Sequence, residues 1–515
     1  MNTRLLTRLG LLLVLAASAC TATDTVVKRS QTRAKEIVQA CAEAMGGADA
    51  IQSLETIHLK GMLENTPRYQ MPTVDPPHKP SHTQEDLVYD LKGNRFFAEQ
   101  VNHGFGFDGW NKIAIKKGEG ENVDLRARTV THIDAAGVNT PQYGQFYRRL
   151  PILIMRDALS RPLTLRYLGD DTFNGRKQHV VTYVHSDGGA IALYIDASSK
   201  LLTKYELLYP DGMTGDEAAE LIYDPYVESG KFKVPTGMTQ RLAGDVSAQW
   251  KYKVTFNEPV ADSTFEVASE GFTPIPNVVT PPPMSVEKLG KGVYLVQNIG
   301  GAFYNMLAVE FKDYVVTMEA PNTTGLTESA IKKIREEIPN KPIRYASFTH
   351  HHNDHMGGIR ALIEEGATIV TTPGNKKLVA DYAAAKQKDS LAKNPKPAKV
   401  EVIENGKRVF TDGEQVVELY DIGPTSHAKE MLVAYLPNEK LIYQGDLFFA
   451  PFDDKIPVGP AQQLTMEFGA WLQKSGLQVE RIAAVHGKTV NYNVLDAALK
   501  TQPGSVPDGV REGGQ

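Results

Sequence analysis

Cysteine is nearly missing from this chain, with Cys20 and Cys41 the only two in 515 residues. That excludes a disulfide framework and any zinc site built from several thiolates. Charge of one sign is missing too. The formal net charge is −5 with 23% charged residues, so nothing in the overall balance points to a nucleic-acid partner. Beyond the first twenty residues no apolar run approaches the ~20 positions a membrane-spanning helix needs. With 42% hydrophobic residues the composition is ordinarily globular and excludes wholesale disorder, a collagen-like chain and a coiled coil. A length of 515 exceeds what one compact core organises and predicts two domains.

The first residues read as an address. Arg4 and Arg8 precede an apolar run from Leu9 to Ala17, then the small residues Ser18 and Ala19, then Cys20. A basic start, a short apolar segment and an A-x-A-like site predict a signal peptide over 1–19. Ala17-Ser18-Ala19-Cys20 also resembles the lipobox of bacterial lipoproteins, with Ala17 where leucine is usual. The lipoprotein reading is preferred, because a cysteine directly after the apolar segment has no other evident use. It implies export to the periplasm or outer membrane of a bacterium, with lipidated Cys20 as the tether. Thr21, where an aspartate would signal inner-membrane retention, implies the outer membrane.

Residues 273–283, TPIPNVVTPPP, hold five prolines and can form neither a helix nor a central strand. They predict a stiff connector over 273–285. It separates a β-rich domain at 31–272 from a second domain at 286–503, followed by a disordered tail at 504–515. In the first domain Ile37, Cys41 and Met45 recur at helical spacing until Gly46-Gly47, so Cys41 reads as a small buried hydrophobe. Alternating segments follow, including Gln178–Ser186 and Ala190–Ile195 around the turn Asp187-Gly188. A helix followed by a meander predicts a mainly antiparallel sheet. The segments AKEIVQACAEAMGGADAIQSLETIHLKG and ALYIDASSKLLTKYELL resemble the periplasmic lipoprotein-carrier (LolA/LolB-like) fold. The role expected of this half is a cup for a greasy ligand or an inert spacer. Its seven histidines (58, 78, 82, 103, 132, 179 and 185) match no metal template in their spacing.

The second half mixes strand-like and helical segments, which predicts two mixed sheets packed face to face with helices outside, an α+β architecture. Residues 386–398 read as an exposed polar loop. The decisive string is Thr349-His350-His351-His352-Asn353-Asp354-His355-Met356-Gly357-Gly358, directly after the apolar strand Ile343 to Phe348. A loop at a strand end can fan its side chains into one cavity. Imidazole nitrogens and a carboxylate suit zinc or another borderline first-row metal. The spacing H-x-H-x-D-H on a loop excludes a helix-borne H-E-x-x-H site. Six histidines follow Val286, and none is expected on a helix. His351 should point away from its neighbours.

This string resembles the metallo-β-lactamase-fold hydrolases, and the downstream residues His427 in DIGPTSHAKEM, Asp446 in KLIYQGDLFF and His486 in IAAVHGKT extend the resemblance in order. The resemblance implies an αββα sandwich with two metal ions. His350, His352 and His427 would hold the first, and Asp354, His355 and His486 the second, with Asp446 as the bridge. It implies two Zn2+, with iron or manganese as alternatives. It further implies a hydrolase whose metal-bridging hydroxide attacks an ester, lactone, thioester or amide carbonyl of a small-molecule substrate, with Asp354 passing protons. Where the family's early strand ends in a supporting aspartate, this chain has Glu319. That residue is one methylene longer, which leaves open whether it meets a ligand histidine. No cysteine falls at a ligand position and Asp446 is present, which sets the site closer to the lactonase, glyoxalase II and esterase or thioesterase branch than to the lactamases. The 75 residues from His352 to His427 and the 19 from there to Asp446 leave no room for the extra domain of the related nucleases. Two other functions stay open. One is an iron-dependent sulfur oxygenase of the same fold. The other is a lipid- or lipoprotein-binding protein without catalysis. Tyr304, Asn305, Lys429 and the 386–398 loop are candidate substrate contacts, though each reads more readily as structural or solvated.

Overall fold

The structure is a computed structural model and describes residues 24–67, 69–138, 141–211, 213, 215–277, 282–301, 304–453 and 456–502. The expected signal peptide, Cys20 and the C-terminal tail lie outside the described residues.

In the first half, helix Val26–Ala44 begins at Thr25, whose hydroxyl accepts from the Lys28 amide at 3.2 Å. It buries the stripe Ala34, Ile37, Val38, Cys41 and Ala42 and stops where Gly46 and Gly47 take φ of 129° and 105°. Burial pushes the Cys41 thiol up to about 12, which leaves it inert. Further short helices, a two-stranded ribbon (Tyr226–Ser229 with Phe232–Pro235) and one fourteen-stranded sheet follow, and in that large sheet every neighbouring pair but one is antiparallel. The exception is Thr273–Ile275, at the start of the proline-rich connector, which adds a parallel edge strand against Thr129–Ile133. An edge tolerates its proline, since no partner needs the missing N–H. The helices and one face of this sheet share a core that includes Ile57, Tyr89, Phe96, Tyr183 and Leu193.

The second half is a four-layer sandwich. One sheet has seven strands, from Ser285–Gly290 to Lys399–Val402, and the other has six, from Lys407–Thr411 to Val490–Asn491. Leu295, Leu307, Val309 and Met318 of the first sheet pack on Leu419, Leu432, Ala434 and Tyr443 of the second. Helix Thr324–Glu337 covers the outer face of the first sheet with Ile331 and Ile334, and helix Gln463–Ser475 covers the second with Phe468 and Leu472. Cover on both faces is why strands such as Leu432–Leu436 are buried at every position and read as continuous apolar runs.

Two expectations need correction. Residues 386–398 are not simply an exposed loop. Asp389 caps a short helix, Ser390–Lys393, accepting from the Ala392 amide at 2.9 Å, and Leu391 is buried. Asp389 also takes both arms of the buried Arg360 guanidinium, at 2.5 and 2.9 Å. Arg360 further donates to the carbonyls of Tyr382 and Ala383. Burial opposes the charge on Asp389, but Arg360 outweighs it and holds the carboxyl below its ordinary range. Its folded pKa is therefore lower than its unfolded one, so its contribution to stability is present above about pH 4 and is lost as pH falls through the folded value. Asp389→Ala strands a buried guanidinium, and denaturant titration of the full chain at pH 7 should show a loss of about 3 kcal/mol. The second correction concerns His355, which lies inside the four-residue helix Asn353–Met356.

The halves interlock. Met213, between strands Leu202–Asp211 and Gly215–Tyr223, is buried in the core that the second half's first sheet shares with its helices. Asp108 and Gln462 exchange two hydrogen bonds at 3.0 and 3.1 Å, and Arg126 donates to the carbonyl of Ala461 at 3.1 Å. The first half therefore packs directly against the second.

Candidate metal centre

Strand Ile343–Ser347 runs parallel between two neighbours in the first sheet and delivers the chain to Thr349 at the open end of the sandwich. His352 is the N-cap of helix Asn353–Met356, which turns Asp354 and His355 into the same space. Gly357 and Gly358 follow for a steric reason. A Cβ on Gly357 would collide with the carbonyls of Asn322 and Asn353, and one on Gly358 with the side chain of Thr327. His427 sits in the loop before strand Leu432–Leu436, where the Thr425 hydroxyl accepts from the amides of His427 and Ala428 at 3.2 and 3.0 Å. Asp446 follows strand Leu441–Gln444. The Gln444 carboxamide closes that turn by accepting from the amides of Leu447 and Phe448. His486 follows strand Arg481–Ala484 and pairs with Tyr304 across the gap between the sheets.

These seven side chains converge into two groups of four possible ligands each, His350, His352, His427 and Asp446 on one side, and Asp354, His355, Asp446 and His486 on the other. In the first group His350 Nε2 is 2.9 Å from His352 Nδ1 and 3.1 Å from His427 Nε2, and Asp446 Oδ2 is 3.1 Å from His427 Nε2. In the second, Asp446 Oδ1 is 3.1 Å from His355 Nε2 and 3.2 Å from His486 Nε2, while Asp354 Oδ2 lies 3.4 and 3.5 Å from the same two nitrogens. Asp446 thus gives one oxygen to each group.

The donor set fits cations. Ligands on a tetrahedral zinc at ordinary bond lengths stand about 3.3 Å apart, the spacing seen here. His355 Nε2 and Asp446 Oδ1 are buried and, although 3.1 Å apart, neither makes a hydrogen bond, so both aim at a third point. His355 is backed by Glu319, whose Oε2 is 3.0 Å from Nδ1 and whose Oε1 accepts from the Thr349 amide at 2.8 Å. The extra methylene does not stop Glu319 from meeting a ligand histidine, since its carboxylate reaches His355 and the Thr349 amide at once.

Charge divides the two groups. Burial and the neighbouring imidazoles hold His350 and His352 neutral, well below the ordinary histidine range. In the second group burial opposes charge on His486, yet Asp354 and Asp446 hold its pKa up at about 9, and His355 is raised by the same carboxylates. Both carboxylates stay ionised well below their usual range, with His355 outweighing the cost of burial. A cation entering the second group must displace protons from raised imidazoles. Zinc titration calorimetry at pH 7 in buffers of different ionisation enthalpy should therefore record release of at least one proton per second-site cation. Affinity there should rise at least tenfold per pH unit up to about pH 9. Uptake without proton release would contradict this charge assignment.

His351 points away from both groups and donates from Nε2 to the carbonyl of Met71 at 2.8 Å. Of the residues weighed as substrate contacts, Tyr304 packs edge-on against His486 with ring centroids 4.9 Å apart. Asn305 is structural, donating to the carbonyls of Ala484 and Gly487. The Lys429 amide is bonded to the carbonyl of Pro72. The 386–398 segment joins Arg360 rather than the site. Not foreseen from sequence are Phe449, stacked on His486, and the first-half residues Gln70, Met71, Phe105 and Phe107 that reach the centre. Their one local signal was Phe105-Gly106 between two alternating runs, the mark of a tight hairpin.

Comparison with known proteins agrees with this geometry. The family model described as Metallo-beta-lactamase superfamily matches residues 324–486. The C-terminal half of the chain contains a metallo-beta-lactamase superfamily domain, and its His/Asp clusters could hold metal. One curated relative is the 2,4-dinitroanisole O-demethylase subunit alpha of Nocardioides sp., 23% identical over 195 residues, 38% of this chain and 53% of that protein. Another is the alkyl/aryl-sulfatase BDS1 of Saccharomyces cerevisiae, 28% identical over 78 residues, 15% of this chain and 12% of that protein. The chain therefore spans about half of the first relative and a small part of the second. Among solved structures, a metallo-beta-lactamase from Pontibacter korlensis matches 43% of this chain and all of its own at 21% identity and a TM-score of 0.33. The sec-alkylsulfatase Pisa1 of Pseudomonas sp. matches 42% of this chain and 41% of its own at 16% identity and a TM-score of 0.31.

Proposed function

We propose that the chain is an exported dinuclear zinc hydrolase that opens an ester, lactone, thioester or amide carbonyl of a small molecule. One observation carries the reading: two four-ligand groups that share Asp446, each claiming a different oxygen of that carboxylate. Bound cations at such a pair supply a Lewis acid and a water of lowered pKa. The protein's own residues supply the rest. Asp354 and His486 are the most open of the seven ligand side chains, each 18% exposed, so substrate approaches from the second group. Asp354 stands at that mouth and takes the proton of the attacking water. The rings of Phe449 and Phe107 lie against His486 and His427 and keep bulk water from the flank. The basic and apolar start of the sequence, ending at Cys20, supports export and a lipid tether at the outer membrane.

The test is metal analysis of protein purified without added metal, followed by a hydrolysis screen. The panel holds esters, lactones, thioesters, amides and β-lactams. It also holds an aryl methyl ether and an alkyl sulfate, bonds that the names of the two curated relatives bring in. Two zinc ions per chain and carbonyl hydrolysis that disappears in Asp354→Ala support the proposal. Iron with oxygen consumption on a sulfur compound would overturn it. So would co-purified lipid with no turnover of any panel member.

A further inference from the structure

We infer that the metal centre belongs to both halves of the chain: residues 69–72 and the turn Phe105-Gly106 are positioning elements that set the ligands, so that cation affinity depends on how the first half docks. The inference rests on the metal reading above and extends it to residues outside the sandwich.

Two of the three histidines in the first group take their orientation from the first half. His352 turns Nδ1 to the group, and its Nε2 lies 3.1 Å from the carbonyl of Met71. His427 turns Nε2 to the group, and its Nδ1 lies 3.3 Å from the carbonyl of Phe105. A carbonyl only accepts, so each outer nitrogen carries the proton and each inner one is left as a bare lone pair. Opposite nitrogens are thereby fixed on the two rings by two carbonyls that the sandwich does not own. In the second group, Gln70 Nε2 donates to Asp354 Oδ1 at 2.7 Å and to Asn353 Oδ1 at 2.5 Å. That occupies one carboxylate oxygen and leaves Oδ2 toward His355 and His486.

Both elements are built for close approach. The segment 69–72 is pinned on either side of Met71, by the Asn353 amide donating to the carbonyl of Tyr69 at 3.2 Å and the Lys429 amide donating to that of Pro72 at 2.8 Å. Phe105 and Gly106 form the two-residue turn between strands Arg95–Gly104 and Phe107–Lys116, with φ of 57° and 86°. A turn of this kind favours asparagine at its first position, and phenylalanine there is a conformation bulky side chains seldom take. At Gly106 a Cβ would come within 2.5 Å of Ser426 Oγ and 2.9 Å of Leu464 Cδ2. The neighbour of His427 thus admits the turn only as glycine.

Three full-length variants test this. Gly106→Val pushes the turn off Ser426, and Gln70→Met removes the donor to Asp354. Gly118→Asn alters the turn at the other end of strand Phe107–Lys116, where φ is 87° and a Cβ meets nothing within 4 Å. Zinc affinity is measured by competition with a chromophoric chelator, the ligand field by the visible spectrum of Co2+-loaded protein, and folding by circular dichroism. We expect Gly106→Val to weaken one zinc site and Gln70→Met the other, each 10- to 100-fold. Each should also shift its cobalt band, while Gly118→Asn matches wild type. If Gly106→Val fails to fold, Gln70→Met still decides. Wild-type zinc affinity and cobalt spectra in every folded variant of the two would overturn the inference and leave the metallohydrolase reading standing. A wild-type chain that binds no zinc would instead remove that reading itself.

Discussion

Asp446→Asn is expected to be the most damaging conservative change in the molecule. It keeps the shape of the side chain but withdraws the charge that both ligand groups share, one oxygen at 3.1 Å from His427 and the other at 3.1 Å from His355. An amide offers one acceptor oxygen where the carboxylate offers two, so one group must face an NH2. Metal content should fall from two equivalents to one or fewer. Lewis-acid stabilisation of a reacting oxygen is worth several kcal/mol, and at about 1.4 kcal/mol per factor of ten the loss in turnover should reach about 10³-fold. The fold should survive, because without the carboxylate His355 and His486 relax toward neutral imidazoles instead of remaining as stranded cations. The same substitution at Asp170, a first-half carboxylate paired with Lys177 and His179 away from the centre, controls for the chemistry of the change. Two metal equivalents with undiminished turnover in Asp446→Asn would refute the bridging role.

The second large effect is expected at Glu319. Its carboxylate is fully buried and divides its oxygens between His355 Nδ1 at 3.0 Å and the Thr349 amide at 2.8 Å. It therefore fixes both the ring of one ligand and the start of the loop that carries three others. In Glu319→Gln the carboxamide oxygen can still accept from Thr349, but its NH2 then faces an N–H of His355. Either the ring rotates or its proton moves to the nitrogen that must bind metal. Affinity at the second group should fall 10- to 100-fold, read by chelator competition. Thermal unfolding of the metal-loaded protein should fall with it, by the linkage between binding and stability. Glu319→Asp tests the extra methylene: with a side chain too short to reach both partners, it should behave like Glu319→Gln rather than like wild type.

How much of this was legible in the sequence follows from range. The string His350 to His355 announces itself because four side chains within six residues need no folding to be neighbours. His427, Asp446 and His486 were legible only through family order, since each alone is an ordinary loop residue. The sandwich was legible from its apolar strands, and helix Thr324–Glu337 from the spacing of Ile331 and Ile334. The helix inside 386–398 was missed because its cause, Arg360, is 29 residues away and buried. Gln70 and the carbonyls of Met71 and Phe105 were missed for a stronger reason. They act on residues roughly 280 to 320 positions distant, and two of the three contributions come from backbone atoms, which no side-chain pattern encodes.

Met213 lies in the core of the other half, at the tip of a hairpin whose strands belong to the first. A polypeptide severed at the proline-rich bridge would leave a greasy socket on one fragment and its stopper on the other. Evolution can then swap neither part freely: a new leading module must bring its own plug, or the catalytic remainder must first learn to seal the hole.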